Sequence, residues 1–161
     1  MRRHAVAGRL RVGPADDIGA LTPAMTEETT VFSRAVHLAP LPLRIGLGII
    51  MVSHGQPKVF GESKEHFPGT VESLGVPAPE KMARLVSYLE LFGGLALIAG
   101  FLTRLIAFLF VGEFGFVILR VKWSKGLMQG YEFDLSLLAG FLSLVLLGAG
   151  AGSLDRLLGI D

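Results

Sequence analysis

No cysteine occurs among the 161 residues of the chain. That excludes disulfides, thiol redox chemistry, thiolate-bound iron–sulfur clusters and thioether-linked haem. Charge is scarce as well: Asp, Glu, Lys and Arg make up 18% of the sequence against 51% hydrophobic residues. Basic and acidic groups nearly cancel, 15 against 14, so nucleic acid and other strongly charged partners have no footing. A soluble domain of this length carries more charge, and the expected class is an integral membrane protein. Histidine is sparse too, four in all. Only His54 falls inside an apolar run, with His37 at a border and His4 and His66 outside, which disfavours a bis-histidine haem. No metal is assigned, because His54, Glu90 and Glu113 supply ligands without a ligand-like spacing. No G-x-G-x-x-G follows a strand-like run, so the glycines read as packing devices.

What the chain does have is apolar runs of membrane-spanning length. Residues 83–102 are apolar almost throughout, and about 20 residues at ~1.5 Å each match the thickness of a bilayer core. The pattern predicts an all-α fold: an antiparallel bundle of four transmembrane helices over about 38–60, 83–102, 105–121 and 135–154. A polar extension, residues 1–37, precedes this domain of residues 38–161. Arg2 and Arg3 begin the extension, but no apolar run follows them as a signal peptide requires. Met25 stands as an alternative start to Met1. Between the first two spans, Phe67, Val71, Leu74 and Val76 lie among charges, as in an interfacial or re-entrant segment. Pro79 and Glu80 suit the first turn of the next helix. Arg120, Lys122, Trp123 and Lys125 mark a membrane interface. Basic residues divide evenly between the two sides, so orientation stays open.

The few ionisable groups inside the spans carry the chemical argument. A carboxylate facing lipid costs a few kcal/mol, so Glu90 and Glu113 must face protein, water or a ligand. Antiparallel topology puts His54 and Glu90 about six residues inside the same end, roughly 9–10 Å deep, with Glu113 about one turn deeper. Lys58, one turn after His54 and on its face, lies at the mouth with Tyr131, Glu132 and Asp134. One half of the bundle is expected to hold a polar funnel and the other to be almost purely apolar. His54, Glu90 and Glu113 are the candidate catalytic residues, and Lys58, Tyr131 and Glu132 the candidate ligand contacts. A structural alternative stands beside each: ion pairs that fix packing, a satisfied interior histidine, a snorkelling lysine, an aromatic anchor. Gly93 and Gly94 read as clearing space beside Glu90, and Gly46 and Gly48 as the thin side of the first helix.

Several short motifs occur in a familiar order. His54-Gly55-x-x-Lys58-x-Phe60-Gly61, Gly75-Val76-Pro77-x-Pro79, Glu90-x-x-Gly93-Gly94, Leu102-Thr103-Arg104, Gly130-Tyr131-Glu132 and Gly148-x-Gly150-x-x-Ser153-Leu154-Asp155 together resemble the DoxX family. The likeness covers roughly residues 41–157. It implies a four-helix membrane bundle, a bacterial inner-membrane location and a place near membrane oxidoreductase complexes, with a quinone as the conceivable cofactor.

Two functional expectations follow. The first is a membrane subunit of a redox or respiratory-type complex that contacts a quinone or other small ligand in the His/Glu/Lys funnel. The second is a non-catalytic accessory subunit, held to other membrane subunits by its tail and glycine-rich helix faces. Whether the chain is itself an enzyme stays open between them. In both, the lipid bilayer is the first partner.

Overall fold

The computed structural model describes residues 35–160. The expected polar extension, residues 1–37, lies almost wholly outside them. Helices account for the regular structure of the described residues. The first, α1 (Pro40–Phe60), opens on prolines in its first turn, where a missing N–H costs nothing. A short helix, α2 (Ser63–Ser73), follows; it buries Val71 and packs against α1 and the next helix. It occupies the segment expected to be interfacial. Next comes α3 (Pro79–Ala99), whose middle, Leu89–Gly93, is a π-helical turn. Gly100, at φ 69°, ends it in the left-handed conformation that glycine adopts without steric cost.

The second half of the chain repeats the pattern. Helix α4 (Thr103–Phe116) runs directly into a second π-helical segment, Val117–Lys122. After a bend at Met128 and Gln129, α5 (Glu132–Leu147) returns, and a last short helix, α6 (Leu154–Leu158), closes the domain. Three stretches, Ala35–Phe60, Pro79–Ala99 and Leu127–Leu147, are long and apolar enough to cross a bilayer. Helix α4 with its π extension is the fourth long helix of the bundle. Two boundaries differ from expectation. The second span ends at Ala99 rather than near 102, and the fourth at Leu147 rather than near 154. In both cases a glycine with positive φ, Gly100 or Gly148, stops the helix inside the apolar run.

Helix α1 packs chiefly on α3, and α4 on α5. Leu47, Met51, Leu97, Phe110, Phe141 and Leu144 form the centre of the core. Phe141 stacks on Phe110 and Phe114, with ring centroids 4.7 and 5.6 Å away. Glycines set the α1–α3 approach. A Cβ at Gly94 would meet the carbonyl oxygen of Gly48 at 2.8 Å, and one at Gly55 would collide with the backbone of Glu90 and Leu91. The expected roles shift accordingly. Gly46 faces open space, and the room beside Gly93 is taken by Phe110 and Ile106.

The end of the bundle away from the funnel is not purely apolar, contrary to expectation. Arg44, Thr103, Ser153 and Asp155 are all buried there. Arg44, Ser153 and Asp155 satisfy the backbone of two turns that contain positive-φ residues, while the buried Thr103 hydroxyl has no hydrogen-bond partner among the described residues. The Asp155 carboxylate accepts from the N–H groups of Leu102 (2.6 Å) and Thr103 (2.8 Å), capping α4 from outside its own sequence. Arg44 donates to the Gly152 carbonyl at 2.5 Å. Arg104 donates to the carbonyls of Val145 and Leu146 at the end of α5, the pole of a helix that favours a cation. Leu102-Thr103-Arg104 and Ser153-Leu154-Asp155 are thus the two halves of one clasp.

The contact at Gly55 is directly testable. Gly55→Ala should destabilise the protein by about 1–3 kcal/mol, the usual cost of overpacking. Gly69→Ala in α2, where a Cβ meets open space, should leave stability unchanged or slightly raised. Thermal unfolding in detergent, followed by circular dichroism, compares the two.

Candidate functional site

The site begins where α1 and α3 are forced together. Gly55 lets α1 lie against the backbone at Glu90, and Lys58 follows it by one turn on the same side. Glu90 sits in the π-helical turn of α3, a local widening that re-aims side chains and recurs at functional sites. The Lys58 ammonium donates to both carboxylate oxygens of Glu90, at 2.5 and 2.6 Å. The Glu90 side chain is 5% exposed and that of Lys58 19%. Phe67 of α2 places its ring 4.4 Å from the ammonium, a cation–π contact. The lysine of α1 is thus engaged by both α2 and α3.

Glu113 of α4 brings a second carboxyl into the same field, interacting with both Glu90 and Lys58. Its Oε2 is buried with no hydrogen-bond partner among the described residues. A second ion pair stands across the space. Lys122, at the end of the π segment after α4, donates to Asp134 in the first turn of α5 at 2.6 Å. Asp134 is 6% exposed and Lys122 31%.

Between these groups lies a cavity of about 510 Å³. Its walls are apolar, supplied by Val71 of α2 and Leu74 just after it, Val86 and Leu89 of α3, Phe114 and Val117 of α4 and its extension, and Phe133 of α5. Lys58, Glu90, Glu113, Lys122 and Asp134 are its charged groups, and His54 also lines it. Met82, Leu85 and Phe116 line it too and, like Phe133, are exposed, so its rim opens on the exposed apolar surface of the helices. Such a space suits a molecule with an apolar body and a hydrogen-bonding oxygen. Its polar end offers the Lys58–Glu90 pair and the unpartnered carboxyl oxygen of Glu113.

Of the residues singled out from sequence, His54, Lys58, Glu90 and Glu113 line one cavity. His54 does so as an exposed residue, not an interior one. Tyr131 and Glu132 do not line it. Tyr131 stacks on Trp123 with centroids 5.9 Å apart and planes 5° from parallel, and Glu132 is exposed in the first turn of α5. Arg84, a conceivable partner for the buried acids, lies near Glu80 on the surface instead. Lys122 was expected only as an interface anchor, yet it binds Asp134 at the cavity wall. The signal that could have revealed this pair is an acid placed just ahead of an uncharged span, opposite a lysine ending the previous one.

The DoxX family model matches residues 39–123. Among curated proteins, the chain is 32% identical over 124 residues to "Putative oxidoreductase CatD" of Bacillus subtilis (strain 168), covering 76% of this chain and 89% of that protein. It is 36% identical over 132 residues to "Inner membrane protein YqjF" of Escherichia coli (strain K12), covering 73% and 90%. It is 30% identical over 127 residues to "Uncharacterized membrane protein Rv3486" of Mycobacterium tuberculosis (strain ATCC 25618 / H37Rv), covering 71% and 77%. No solved structure matches.

The lysine–glutamate pair yields a prediction of opposite signs. Removing one partner strands a charge in a low-dielectric interior, and Lys58→Met or Glu90→Leu alone should cost about 3–5 kcal/mol. The double variant Lys58→Met/Glu90→Leu should recover most of that loss. A double-mutant cycle by thermal unfolding in detergent measures the coupling; additive losses would contradict the pairing.

Proposed function

This chain belongs to the DoxX family, and we propose that it is the small-ligand-binding membrane subunit of a redox complex, taking a quinone-like molecule in the α1–α5 cavity. It is an integral membrane protein, and relatives named as inner membrane proteins support a place in the bacterial inner membrane. The observation that carries the reading is the cavity itself: apolar walls that end on Lys58, Glu90 and Glu113. A relative named as an oxidoreductase supports the redox setting.

In this reading the apolar walls hold the ring and tail, and the polar end receives a carbonyl oxygen. Lys58 or His54 donates a hydrogen bond to that oxygen, polarising it. Reduction of a quinone to a quinol takes two electrons and two protons. The electrons come from a redox partner subunit, and the chain's own carboxyls handle protons. Glu113, with an unpartnered oxygen, stands beside Glu90 to pass a proton toward the ligand. The surrounding apolar side chains keep bulk water away and strengthen each of these interactions.

One feature supports the accessory-subunit reading. Gly112 and Gly115 of α4 and Gly46 of α1 face open space, where the backbone of another helix could approach closely. The two readings combine if the partner docks there while the cavity stays open.

Binding of short-chain quinone analogues to the purified protein in nanodiscs separates them. Glu90→Gln and Lys58→Arg should each weaken binding at least about tenfold, ~1.4 kcal/mol. Tyr131→Phe should leave it unchanged, since Tyr131 does not reach the cavity. Equal affinity of wild type and Glu90→Gln would remove the support for a ligand site.

A further inference from the structure

A second cavity, about 650 Å³, lies on the other side of Lys58. Its character is different. Lys64 and Glu65 of α2 and Glu80 and Arg84 of α3 line it among Val59, Pro68, Ala83 and Tyr88, so it is far more polar than the first cavity, whose walls are overwhelmingly apolar. A polar cavity of this size holds water. Of the described residues, Lys58 and Phe67 line both spaces. They are also in contact with each other, ammonium over ring. One lysine and one phenylalanine therefore partition a polar chamber from an apolar one.

We infer that the polar cavity is a water-filled antechamber through which the buried carboxyls exchange protons with the aqueous phase, Lys58 being the hand-over group and Phe67 the septum. This rests on reading the apolar cavity as the ligand site. The ligand then enters from the lipid side, past Met82, Leu85 and Phe116, while protons arrive by the separate polar route. The hand-over balances without electrons. The Lys58 ammonium gives a proton to Glu90, and the neutral amine takes one from a hydronium ion that reaches the antechamber from the bulk, leaving water behind. Glu90 holds the proton or passes it to Glu113, which lies beside it. The other charged groups facing the route are Lys64, Glu65, Glu80 and Arg84, all on the antechamber side. Lys122, Asp134 and His54 face the apolar cavity only.

The absence of cysteine makes a matched test available. Val59 lines the polar cavity and Val86 the apolar one, and both are half-buried. In ligand-free protein in nanodiscs, a sulfonate-bearing methanethiosulfonate should modify Val59→Cys at least ten times faster than Val86→Cys. N-phenylmaleimide, which partitions into lipid, should modify Val86→Cys readily. Adding Phe67→Ala should open the septum and raise sulfonate labelling of Val86→Cys at least tenfold. Infrared spectroscopy at pH 5 should show deuteration of the buried carboxyl slowed at least tenfold by Lys58→Met and unchanged by Lys122→Met. Equal sulfonate labelling at the two positions, no effect of Phe67→Ala, or equal deuteration rates in wild type and Lys58→Met would each overturn the inference. Should Lys58→Met fail to fold, the labelling pair decides alone. None of these measurements uses a quinone, so they succeed or fail apart from the ligand-binding experiment.

Discussion

The structure turns on a lysine ammonium held by both oxygens of a carboxylate inside an apolar helix bundle. Taking two such charges out of water costs several kcal/mol per ion, and only close, well-aligned contact offsets it. Lys58 and Glu90 meet that requirement because α1 and α3 approach backbone to backbone at Gly48, Gly55 and Gly94. The π-helical turn at Leu89–Gly93 completes the arrangement by presenting Glu90 inward. Close packing and the ion pair are therefore one feature: a side chain at Gly55 would push the helices apart and leave both charges stranded.

The two ends of the bundle divide the work. At one end, Arg44, Ser153 and Asp155 are consumed in holding the turns that close the helices. Their polar groups serve the protein's own backbone and face no cavity described above. At the other end, two ion pairs and an extra carboxyl surround a space that the chain does not fill. Both π-helical segments among α3 and α4 supply that end: one carries Glu90, the other Lys122. Irregular helix geometry is concentrated where the charges face the cavity.

Much of this was legible from residue order. A lone acid in an apolar run must find a partner, which singled out Glu90 and Glu113. Helical spacing placed Lys58 and His54 on one face, and antiparallel topology placed His54 level with Glu90 and Lys58 at the mouth above. The motifs shared with the DoxX family gave the bundle. What could not be read from the chain depends on tertiary geometry. Whether Gly100 and Gly148 lie inside a helix or end it depends on backbone angles that apolar patterning does not encode. Asp155 caps a helix start some fifty residues earlier in the chain, and Arg44 binds a loop more than a hundred residues later. Tyr131 and Glu132 looked like mouth residues by depth. The bend at Met128 and Gln129 instead turns Tyr131 onto Trp123 and brings Asp134 to the wall.

The most direct test of the account is an experimental density map of the natively purified protein in lipid, at a resolution that places side chains. The account expects the Lys58 ammonium within hydrogen-bonding distance of both Glu90 oxygens. It also expects the space between α3 and α5 to hold an elongated amphiphile whose polar end points at Glu113. A map in which Lys58 extends toward the lipid headgroups, Glu90 is bound elsewhere and the helices close over the cavity would contradict it.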